Sequence, residues 1–81
     1  MPDVTYFVAL PFGQGDDGPS PRSAEECTSA NAAIRRAEVL SRAEGNVGAV
    51  AFSRTGDPGA GEFGDAVVLK SFGEVPSLSD L

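Results

Sequence analysis

Eighty-one residues with one cysteine and no histidine exclude an internal disulfide and leave a nitrogen-ligated metal site almost without ligands. Six basic residues against twelve acidic ones give a net charge of −6, the wrong sign for a protein whose affinity comes from neutralising phosphates, so nucleic acid is not expected as a partner. A chain this short buries only about 60% of its unfolded surface. With disulfides and metals set aside, self-association is the support left to it.

No apolar run reaches the length that spans a bilayer, and the first residues lack the charged region and apolar core of a signal peptide. The expectation is a soluble, cytoplasmic chain that does not engage a membrane. The lone cysteine fits a reducing compartment.

Residues 4–10, VTYFVAL, are β-branched and aromatic between Pro2 and Pro11, which predicts a strand. Tyr6 and Val8 share one face, Phe7 and Ala9 the other, and neither face is polar. Glycine, proline and aspartate then crowd residues 11–22, which reads as a loop. Within it Asp16 and Asp17 read as a solvated turn, because an oxygen-ligand cage needs more carboxylates at fixed spacing.

Ser23 followed by Glu26 matches a capping box, so a helix is expected over about 24–44, closed by Gly45 in the left-handed position past its end. At 100° per residue Cys27, Ala30, Ala33, Ile34, Ala37, Leu40 and Ser41 form its apolar stripe, and the alanines allow close approach to a sheet. Cys27 lies on that stripe as a small core residue, since a nucleophilic thiol would lack its usual histidine base. Arg35, Arg36 and Arg42 face elsewhere. Glu38 is spaced to pair with Arg35 and Arg42 on an exposed helix face.

Strands are expected over about 47–54 and 62–72, joined by TGDPGAG, in which Gly59 would take the positive φ of a type II turn. Arg54, Asp57, Glu62 and Asp65 cluster around this loop and are the candidate ligand-binding residues. Their spacing fits neither a calcium loop nor a phosphate-binding glycine motif, and no catalytic residue, metal site or cofactor is expected. Residues 74–81 read as a flexible tail to a single domain over 1–73.

The order strand, helix, strand, strand predicts an α+β fold with a three-stranded mixed sheet. The expected spatial order is 1-3-2, with the first two strands parallel through a helical crossover and the apolar run AVVL at the centre. One helix covers one face of such a sheet, yet the strands are apolar on both faces. Tyr6, Phe7, Val8, Val68 and Phe72 are therefore the candidate interface residues of a homodimer, formed through the open face or a strand edge.

The segment AFSRTGDPGAGEFGDAVVL, with FGEVP after it, resembles that of a group of small bacterial proteins carrying AFSRTGDP...GEFGDA...L behind an alanine-rich helix. The group has no assigned reaction, ligand or partner. The resemblance covers the C-terminal two-thirds and implies a free-standing bacterial protein, without carrying over any functional residue. Two functions are consistent with these features. One is a non-enzymatic homodimeric module that binds a protein partner; the other is a small enzyme or ligand-binding protein with a pocket formed between subunits.

Overall fold

The computed structural model of the chain describes residues 3–57, 59–64 and 66–75. It is an α+β fold in which one helix packs on a six-segment antiparallel sheet. The strands are β1 (Val4–Gly15), β2 (Gly18–Pro21), β3 (Glu25–Cys27), β4 (Asn46–Asp57), β5 (Glu62–Phe63) and β6 (Val67–Gly73), and α1 (Ala30–Ser41) lies between β3 and β4.

The two long strands, β1 and β4, pair along nearly their whole lengths and form the centre. β2 and β3 pair successive stretches of β1 on one side, while β6 and β5 pair successive stretches of β4 on the other.

This arrangement corrects the expected 1-3-2 order. The 46–57 strand is central and antiparallel to the first, and the 67–73 strand lies at an edge. β3 and β4 each run antiparallel to β1, so they are parallel to each other with β1 between them. The helical connection thus joins β3 to β4, and the parallel relation belongs to that pair instead of to the 4–10 and 47–54 strands. The apolar run at 66–69 did not mark the centre: Val67 is 61% exposed. The central place went to the strand with the smallest side chains, where a helix can come close.

Residues 11–22 are not a loop. β1 continues to Gly15, Asp16 and Asp17 form an exposed hairpin tip, and Gly18 follows at φ +118°. Pro11 is accommodated inside a central strand because its carbonyl accepts from Arg22 N at 2.9 Å in the gap between β2 and β3. In an extended strand a residue's N–H and C=O point to the same side, so the donor that proline lacks falls where no ladder bond is required. Pro19 and Pro21 are on β2, an edge, where proline is tolerated.

The helix is shorter than expected. Glu25, Glu26 and Cys27, good enough helix formers, pair instead with Ala9, Val8 and Phe7. The sheet edge overrides local propensity there. The cap is Ser29, extended at φ −156°, whose Oγ accepts from Ala32 N at 3.1 Å, so the Ser23–Glu26 capping box does not form. At the other end the helix stops at Ser41 with Arg42 as its cap, earlier than expected. Gly45, at φ +88°, therefore does not close the helix but sits in the turn that Asn46 N closes on Ala43 O at 3.0 Å, and Asn46 Nδ2 donates to Leu40 O at 2.8 Å to satisfy a terminal carbonyl.

The 62–72 strand is interrupted between β5 and β6. In the preceding turn Ala60 N donates to Asp57 O at 3.1 Å, and the positive φ falls at Gly61, +70°, and not at Gly59. The tail assigned to 74–81 lies outside the described residues beyond Val75.

The core under the helix is built from Ala9, Ala33, Ala37, Ala49 and Ala51, with Phe7, Cys27, Ile34, Leu40, Leu69 and Phe72 packed around them. Alanine on both surfaces lets the helix approach the sheet closely, and the larger groups seal the perimeter. The stripe read from the sequence supplies Ala33, Ala37, Ile34 and Leu40, and Cys27 joins them from β3.

Candidate functional site

Paired strands place directly opposite residues on the same face. Phe7, Ala9 and Pro11 with Ser53, Ala51 and Ala49 form the face under α1. Tyr6, Val8, Leu10 and Phe12 with Arg54, Phe52, Val50 and Gly48 form the other. β3 follows the same alternation. Glu25 and Cys27 turn to the helix side, where Glu25 binds Arg36 and Cys27 meets the core, and Glu26, opposite Val8, belongs to the open face.

β6 changes faces part-way. Ala49 opposes Phe72 and Ala51 opposes Lys70, but the register slips between Ala51 and Phe52, so that Phe52 opposes Val68. One extra residue on a strand inverts every later side chain. Leu69 and Phe72 therefore join the helix-side core, and Val68 emerges on the open face.

The five interface candidates are accordingly divided. Tyr6, Val8 and Val68 share the open face. Phe7 and Phe72 are withdrawn from it, half-buried against the alanine core, with Lys70 Nζ 5.4 Å from the centroid of the Phe72 ring.

The open face gains two aromatic residues that had not been singled out. Phe52 stands between Val8 and Val68, and Phe63 on β5 meets Tyr6 with ring centroids 5.6 Å apart at 53°. Phe63 and Val68 remain 40% and 37% exposed. Glu26 is a third addition, hidden in the sequence by its reading as a helix-capping residue. The alternation of Glu25, Glu26 and Cys27 was its only signal.

Two charges accompany this apolar strip, one beside it and one within it. Glu26 is exposed on the β3 side, and Arg54 is exposed on β4 opposite Tyr6. Arg54 Nε donates to Gly64 O at 3.3 Å, which holds its stem over the β4–β5 junction.

The ligand candidates of the 57–65 loop do not assemble into a described site. Asp57 Oδ1 accepts from Gly59 N at 2.9 Å and so stabilises its own turn. Asp65 and the side chain of Glu62 lie outside the described residues. Among the described residues no group of three or more His, Cys, Asp and Glu converges.

A groove of about 590 Å³ opens on the helix side between Pro11, Pro21, Arg22, Glu25, Leu40 and Glu44. Its cation is already engaged: Arg22 Nη1 donates to Asn46 Oδ1 at 3.0 Å and reaches Gly45 O at 3.4 Å. At its rim Arg36 grips both carboxylate oxygens of Glu25 at 3.0–3.2 Å, and this contact raises the Arg36 pKa above its ordinary value. On the helix surface Arg42 pairs with Glu38 at 3.6 Å. Of these contacts, Arg36–Glu25 ties the helix to the sheet edge at β3, Arg22 fastens the end of β2 to the start of β4, and Arg42–Glu38 stays within the helix.

No described helix is long and apolar enough to cross a membrane. The chain matches no family model, no curated protein and no solved structure.

Proposed function

We propose that the protein is a non-enzymatic, homodimeric interaction module whose two copies pack through the sheet face opposite α1. The observation that carries this reading is the apolar strip on that face, Tyr6, Val8, Phe52, Phe63 and Val68, with Arg54 among them on the central strand β4 and Glu26 beyond Val8 on β3. In a two-fold pair each residue contacts its counterpart reciprocally, so Glu26 of one copy meets Arg54 of the other twice per dimer. The apolar strip supplies affinity and the charges set orientation. The reading locates the protein in the cytoplasm, supported by a half-buried cysteine that has no disulfide partner within the chain.

Light scattering across the micromolar range tests it. The expected result is a dimer mass that falls to the monomer on dilution. Arg54→Glu should weaken the dimer roughly tenfold, in keeping with a 1.4 kcal/mol loss, and combining it with Glu26→Arg should recover most of that loss. A monomer mass throughout, or a double variant no tighter than the single one, overturns the proposal.

A further inference from the structure

We propose that the groove on the helix side binds an α-amino acid with an aliphatic side chain: Arg22 takes the carboxylate, Glu44 the ammonium group, and Pro11, Pro21 and Leu40 the side chain. The groove lies on the opposite side of the sheet from the Tyr6–Phe52 strip, so the site does not depend on self-association.

Arg22 is positioned by the fold through one of its nitrogens. Its stem crosses β1 at Gly13, where a Cβ would meet Arg22 Cδ at 2.9 Å. Nη1 then donates to Asn46 Oδ1 at 3.0 Å and reaches Gly45 O at 3.4 Å. Asn46 is fixed in turn, because its Nδ2 donates to Leu40 O at the end of α1. Among the described residues Nε and Nη2 of Arg22 meet no acceptor. Those two N–H groups form an edge of the guanidinium that grips a carboxylate with two parallel hydrogen bonds, and the bonds at Nη1 spare a ligand the cost of ordering it.

The charges of the groove do not cancel within the fold. Glu25 is matched by Arg36. Glu44 immediately precedes Gly45, whose carbonyl Arg22 reaches, yet among the described residues Glu44 and Arg22 form no ion pair. A cation and an anion so placed on one groove, neither neutralising the other, complement a dipolar ligand; a simple anion is repelled by Glu44 and a simple cation by Arg22. The apolar wall of Pro11, Pro21 and Leu40 adds the surface that an aliphatic side chain covers, and a volume of about 590 Å³ is in the range of small-molecule sites.

The test is an NMR titration of the full chain with L-leucine, L-leucinamide, which lacks the carboxylate, and N-acetyl-L-leucine, which lacks the ammonium group. Leucine should give saturable shifts at the Leu40 methyls and the Asn46 side-chain amide and leave Val68, on the other face, unmoved. Each analogue should bind at least about tenfold more weakly, having lost one charged contact. Glu44→Gln, at an exposed position, should weaken leucine about fivefold and leave N-acetyl-leucine unchanged. The proposal is overturned if leucine gives no saturable shift at Leu40 up to its solubility limit, if either analogue binds as tightly as leucine, or if Glu44→Gln weakens leucine and N-acetyl-leucine alike. The comparison of the three ligands uses the unaltered chain, so it stands whatever the stability of the variant.

Discussion

The two faces of the sheet solve the same problem with opposite materials. Under α1, small side chains dominate the buried contact: Ala9, Ala49 and Ala51 from the sheet meet Ala33 and Ala37 from the helix. Little apolar area is buried per residue, but the backbones come close and the fit leaves little room for change. On the other face the side chains are large, Phe12 and Val50 are fully enclosed at one end, and Phe63 and Val68 stay partly in water at the other. The helix face is closed by shape. The open face carries the bulk, and part of that bulk remains available for contact.

Substitutions that treat the two faces differently follow from this contrast. Phe12→Ala should have the largest effect, about 3–5 kcal/mol of lost stability, because it removes the largest enclosed side chain on the face without a helix. Denaturant titration would measure it; a loss comparable to that of an exposed position would show that the far end of the open face is not a core.

Ala51→Leu probes the opposite face by excess and should cost about 1–3 kcal/mol in the same titration, since a larger side chain drives α1 away from β4. Phe52→Leu, one residue along on the open face, should change stability much less while weakening association.

Ser29→Ala removes the helix cap and should cost about 1 kcal/mol. Ser23→Ala, at the position that only looks like a cap in the sequence, should cost nothing measurable.

The smallest effect is expected from Glu25→Gln. The pair it forms with Arg36 is solvent-exposed, so the denaturation midpoint should barely shift, and less so at high salt. A large loss would mean that fastening α1 to β3 matters more than the alanine packing.

Much of the helix side was legible. The stripe Ala33, Ala37, Ile34 and Leu40 was readable from periodicity, whereas Cys27 reaches the same core from β3 and the left-handed Gly45 belongs to the turn into β4 and not to the end of the helix. The 11–22 segment was misread because proline and glycine were counted as loop formers. In the fold, the prolines occupy an edge and a gap between two edge strands, where the N–H they lack is not needed. The 24–28 segment was misread because local capping chemistry is silent about an unpaired stretch of β1 waiting to be covered. On the open face, Tyr6 and Val8 were found by alternation. Val68 and Phe72 were grouped together because alternation does not reveal the register slip that sends them to opposite sides.

The sequence by itself determined a small α+β unit with one alanine-striped helix, strands apolar on both faces and more apolar surface than a single helix can cover. Those properties depend on residue type and spacing, which are local. Only the tertiary structure decided which strands are central, where the short edge strands pair and which aromatic residues share a face. Each of these turns on long-range pairing, in which a one-residue change of register moves a side chain from the core beneath α1 to the open surface.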